Sequence, residues 1–145
     1  MQDISKEVKS AQHLLYVSLK YTKTCDVIAN LIHRWQQLIS LIIDKVLEKA
    51  RKKRLISKVP ATPVEKIDAM RGLFKKEEIV QKILELYEFF RRMPKLEQIR
   101  EHEFRKNVAL KVVEKEQVIS IDLEKLKGWN ILVEDFVKFA RRFIG

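Results

Sequence analysis

A mostly α fold, an up-and-down bundle of four to five helices with a small β-hairpin before the last helix, is predicted by three observations. Apolar residues recur at three-and-four spacing along most of the chain. Glycine and proline number only three each, too few for a turn-rich β fold. One stretch near the C-terminus, Val108 to Ile121, departs from the helical pattern and is rich in β-branched residues. With 145 residues, of which 46% are hydrophobic and 34% charged, the expectation is a single domain spanning 1–145 with a real core.

The first helix is expected from about Asp3 to Lys23, with Ile4, Val8, Ala11 and Leu15 in line and Leu14, Leu19 and Tyr21 widening the stripe. Lys23-Thr24-Cys25-Asp26 breaks it, and Thr24 or Asp26 can cap the next helix by accepting a free amide hydrogen. That second helix, Val27 to Arg54, is the strongest signal in the chain. Ile28, Leu31, Ile32, Trp35, Leu38, Ile39, Ile42, Ile43, Val46, Leu47 and Ala50 form one wide face, so partner helices must cover it.

Pro60 lacks a donor and forces the residue before it out of helical geometry, so Ser57 to Pro63 is the clearest linker. Thr62-Pro63-Val64-Glu65 then reads as a helix start, with Thr62 as cap and Glu65 completing a capping box. Val64, Ile67, Met70, Leu73 and Phe74 form the apolar edge of this short third helix. A fourth begins at Lys75 to Glu78, turns Ile79, Val80, Ile83, Leu84, Leu86, Tyr87 and Phe90 inward, and stops or kinks at Met93-Pro94.

Leu96 to Phe104 is read as a further helical turn or two. Val108 to Val113 and Val118 to Ile121 read as a hairpin around Glu114-Lys115-Glu116-Gln117, although Asn-Gly turn chemistry is missing and an all-helical alternative stays open. Asp122 caps the last helix, whose core side carries Leu126, Trp129, Val133, Phe136, Val137, Ala140 and Ile144. Gly128 inside it suggests close helix packing.

Thirty Lys and Arg against 20 Asp and Glu give a net charge of +10, a field that attracts RNA, DNA or another polyanion. The competing reading is a solvated surface of the kind favoured at high temperature. Two cationic stretches stand out. Lys49, Arg51, Lys52, Lys53, Arg54 and Lys58 gather at the end of the second helix, where they either contact phosphates or compensate the helix dipole. Arg91, Arg92 and Lys95, together with Arg100, Arg105 and Lys106, form the other, interleaved with Phe89, Phe90 and Phe104, aromatics that helical spacing assigns to the core rather than to base stacking.

Cys25 is the single cysteine and is read as a packed side chain. His13, His33 and His102 have no metal-ligand spacing, and only His102 sits among acid and base partners. Three glycines are too few for a P-loop or a dinucleotide fingerprint. No catalytic residue, metal or cofactor is therefore expected. The first residues lack the apolar stretch of a signal peptide and no window is apolar enough to span a membrane, so a cytoplasmic location without membrane contact is expected.

The order of elements resembles the HEPN-like helical bundles, a family linked to RNA cleavage and toxin-antitoxin pairs. The resemblance is carried by the two long amphipathic helices, Ile4 to Tyr21 and Val27 to Ala50, the Val59-Pro60-Ala61-Thr62-Pro63 crossing, and the short helix ending at Leu73-Phe74. Catalytic members carry an arginine followed, after four to six residues, by a histidine. Here Arg100 is too close to His102 and Arg92 too far, and no arginine precedes His13 or His33. The resemblance therefore implies a non-catalytic, basic interaction module that associates with RNA and self-associates as a dimer or meets a protein partner. The rivals are a ribonuclease using His102 with Arg100 or Arg105, and a protein-binding subunit of a larger complex.

Overall fold

The computed structural model describes residues 2–145. Helix α1 is regular over Gln2–His13, widens into a π-helical turn over Leu14–Ser18 and closes with Leu19–Tyr21. In the wide turn the Leu19 amide reaches back to the Leu14 carbonyl. The extra residue keeps Ala11, Leu15 and Leu19 buried while Tyr16 and Val17 turn outward. Tyr21, assigned by periodicity to the apolar stripe, instead stands in solvent, and the helix ends before Lys23 because Thr22 leaves helical geometry.

Helix α2, Cys25–Lys52, is capped by Thr24, whose hydroxyl accepts the Val27 amide at 3.3 Å. All eleven positions of the predicted apolar face from Ile28 to Ala50 are buried. The helix stops short of Arg54, which adopts a left-handed backbone (φ 62°). Leu55 N–H then donates to Ala50 C=O and Arg54 N–H to Arg51 C=O, the pairing that closes a helix through a left-handed residue.

Helix α3, Pro63–Leu73, starts as expected, with the Thr62 hydroxyl accepting the Glu65 amide at 3.2 Å. Ile67 and Met70 are buried, but Val64 is exposed and takes no part in the core. Helix α4, Glu78–Arg92, passes into a single tight turn at Met93–Lys95, where Pro94 ends it.

The segment after Pro94 corrects the expectation of more helix. Glu97–Glu101 is a strand, β1, pairing antiparallel with β2, Ala109–Glu114, which in turn pairs with β3, Gln117–Ile121. The register sets Glu97 opposite Val113 and Glu114 opposite Gln117. The hairpin is thus two strands of a three-stranded sheet, and the fold is mostly α without being a pure bundle. Its turn is closed by Lys115 and Glu116, both at positive φ (50° and 66°), the geometry that Asn-Gly normally supplies.

Helix α5, Leu123–Ile144, opens with Asp122 accepting the Lys125 amide at 2.8 Å. Gly128 does not mark a close approach, since a Cβ built there would meet nothing within 4 Å.

Packing orients the helices. Arg34 lies 3.8 Å from Glu7, Gln12 bonds to Glu134 and Arg141 to Ser5, so α1 runs antiparallel to both α2 and α5. Trp35 of α2 stacks on Phe90 of α4 at 6.3 Å, and Phe90 meets Trp129 of α5 edge-on at 5.4 Å. Toward the other end Phe74 touches Phe139 and Phe143 edge-on at 5.0 and 5.1 Å. One continuous apolar core joins all five helices to β2 and the end of β3. No helix among the described residues is long and apolar enough to cross a membrane.

Candidate nucleic-acid interface

The packing brings three C-terminal helix ends to one pole of the molecule. Helix α2 delivers Lys49, Arg51, Lys52, Lys53 and Arg54 there, with Lys58 in the loop that leaves it. The Lys53 ammonium sits 4.4 Å from the centre of the Phe143 ring near the end of α5, so Arg142 comes from a second direction. Phe74, packed on the same ring, brings Lys75 and Lys76 immediately after α3 from a third. Among the described residues, only Arg51 of the α2 run has an ion-pair partner, Glu48. Because each helix also ends in a partial negative charge, some of this cation density is dipole compensation. The number of lysines and arginines exceeds what three termini require, and most point into solvent.

The second predicted stretch does not join that pole. Arg91 and Arg92 end α4, which runs antiparallel to α2 and so finishes at the opposite end. Arg92 grips Glu114 of β2 with two bonds, at 2.6 and 3.1 Å, and lies against the Phe89 ring. The guanidinium beside it holds the Glu114 carboxyl below the usual carboxylate range. Arg100 is likewise engaged, with Asp26 at 2.6 Å and Glu103 at 3.1 Å. Arg105 is exposed in the turn between β1 and β2, without an ion-pair partner among the described residues. Phe89 and Phe90 are core residues as expected, whereas Phe104 is not.

His102 occupies the same turn at φ 53°, with Nε2 3.6 Å from the Glu101 carboxylate. No group of three or more His, Cys, Asp or Glu able to hold a metal occurs among the described residues. Cys25 is buried, its thiol donates to the Ala109 carbonyl at 3.3 Å, and burial pushes its pKa up, which suits a packed side chain rather than a nucleophile.

Sequence reasoning missed two features. His13 and His33 line one open groove of about 710 Å³ between α1 and α2, with Lys9 and Arg34. They lie symmetrically about the turn at Thr22 to Thr24, so an antiparallel pair of helices must bring them to the same level. The other is the recruitment of Lys75, Lys76 and Arg142 to the α2 pole, for which no local signal exists.

The class these features define is a mostly helical protein with a small antiparallel sheet and one cationic pole. No family model, no curated protein and no solved structure matches the chain.

Proposed function

We propose that this protein is a non-enzymatic RNA-associating module, a HEPN-like bundle without the catalytic pair, which holds the phosphate backbone at the cationic pole. The observation that carries the reading is that Lys53 of α2 lies over the Phe143 ring of α5 while Phe74 at the end of α3 packs edge-on against the same ring, which gathers the helix ends bearing Lys52, Lys53, Arg54, Lys75, Lys76 and Arg142, none with an ion-pair partner among the described residues. Lysine and arginine on phosphate carry no base information, so such a surface retains RNA without selecting its sequence. A helix dipole alone calls for one or two cations in its last turn.

The test is binding of a labelled RNA oligonucleotide across a salt series. Five phosphate contacts on a single strand give a log-log slope of roughly −3.5, hence about a 100-fold loss of affinity for a fourfold rise in salt. The triple variant Lys52→Glu, Lys53→Glu, Arg54→Glu should bind weakly with a shallower slope. Absent binding, or wild-type affinity that ignores salt, removes the proposal. RNA incubated with wild type and with His102→Ala should remain equally intact, and cleavage lost in that variant would restore the ribonuclease reading.

A further inference from the structure

Among the described residues the two most exposed large hydrophobics, Tyr21 at 78% and Phe104 at 76%, stand on segments far apart in sequence and joined in space. The Phe104 amide donates to the Lys23 carbonyl, tying the turn between β1 and β2 to the end of α1. Two further links fix that turn. The Glu103 carboxylate accepts the Cys25 amide at 3.1 Å at the start of α2, and Arg100 bridges Glu103 and Asp26. Phe104 itself has a left-handed backbone (φ 67°), a conformation disfavoured for a side chain of this bulk. A bulky aromatic is therefore held in solvent by a strained backbone and three tethers, although burial would be the outcome expected from its hydrophobicity.

Cations outnumber the unpaired carboxylates around it, with Asp122 and Glu124 sharing one hollow with Lys106. Asp26 and Glu103 are turned to Arg100, and Glu101 to Lys111 and His102. Lys20, Lys23, Arg105 and Lys106 are left without ion-pair partners among the described residues. The Lys23 ammonium donates to the Lys20 carbonyl, and that of Lys20 lies 5.8 Å from the Tyr21 ring centre. Exposed aromatic faces set among uncompensated cations match one chemistry, a polyanion whose units carry flat π-faces of their own.

We propose that Phe104 and Tyr21 form a stacking platform for the unpaired bases of single-stranded nucleic acid, with Lys20, Lys23, Arg105 and Lys106 on the adjoining phosphates. This platform rests on the RNA-binding reading and adds a substrate class to it. It lies at the N-terminal end of α2, about 40 Å from the cationic pole by the rise of a 28-residue helix, so a long single strand can engage both. A duplex cannot satisfy it, because its bases are already stacked inside.

The experiment compares a labelled single-stranded RNA with the matching duplex on wild type, Phe104→Ala/Tyr21→Ala and Phe104→Trp. Both aromatics are exposed, so the variants should keep the fold, checked by circular dichroism. Loss of stacking should weaken single-strand binding by 10-fold or more with an unchanged salt slope, leave duplex binding alone, and be absent in Phe104→Trp. Equal single-strand affinity of wild type and the double variant overturns the platform while leaving the cationic pole standing. If neither RNA binds, the RNA-binding reading falls and the platform with it. Anionic vesicles that sediment wild type but not the double variant, with no preference for single strands, would reassign the patch to a lipid surface and overturn the proposal.

Discussion

Among the described residues, five other than glycine adopt positive φ: Arg54, His102, Phe104, Lys115 and Glu116. Each pays for the absence of glycine or asparagine at a place where the chain must turn. Two of these places are structural. Arg54→Gly should stabilise the fold by about 1 kcal/mol by relieving the left-handed closure of α2, and should at the same time weaken RNA binding by removing a cation. Lys115→Asn/Glu116→Gly should stabilise by about 1 kcal/mol with RNA binding unchanged. Urea denaturation measures both, and a destabilised Arg54→Gly would show that the arginine side chain outweighs its backbone strain. Phe104 combines two features, since it stands in the turn between β1 and β2 and also leaves its ring in solvent.

At the scale of elements, the long helices rest on features that local sequence displays. Thr24, Thr62 and Asp122 each cap a helix through a side-chain oxygen, and the apolar face of α2 is buried throughout. Strand β1 could not be read in this way. Glu97-Gln98-Ile99-Arg100-Glu101 is exposed over most of its length, so neither face imposes the alternation that marks a half-buried strand. Its conformation comes from the free edge of β2, a partner eight or more residues downstream. The hairpin turn was similarly obscured, since Lys-Glu occupies positions where Asn-Gly is the usual sign. Arg92 clamps α4 to this sheet through Glu114, whose carboxyl is held below its ordinary value in the folded state. The contribution of that pair is therefore complete above the unfolded pKa of the glutamate and is lost as pH falls through the lower folded value. Carboxyl titration followed by NMR should show Glu114 returning to the ordinary range in Arg92→Gln, and an unmoved titration would mean that the ion pair does not persist in solution.

For the whole molecule the governing quantity is a net charge of +10, much of it carried at the pole where α2, α3 and α5 end. Crowding Lys52, Lys53, Arg54, Lys75, Lys76 and Arg142 at one end is self-repulsive, and moderate salt screens it. The thermal midpoint should accordingly rise as sodium chloride is added from low ionic strength. The glutamate triple variant at positions 52 to 54 should show a smaller rise, and a midpoint that falls with salt in wild type would indicate that ion pairs outweigh the repulsion.

By itself the sequence determined the helical class, the long apolar face of α2, the caps and the basic run at its end, because periodicity, capping and dipole compensation act within a few residues. Only the tertiary structure decided that the helix ends carrying Lys75, Lys76 and Arg142 meet that run, that Arg92 and Arg100 are committed to carboxylates, and that Phe104 stands outside on a turn tied to the end of α1. Those outcomes depend on contacts between segments tens of residues apart, where the same side chains have several possible partners and packing alone selects among them.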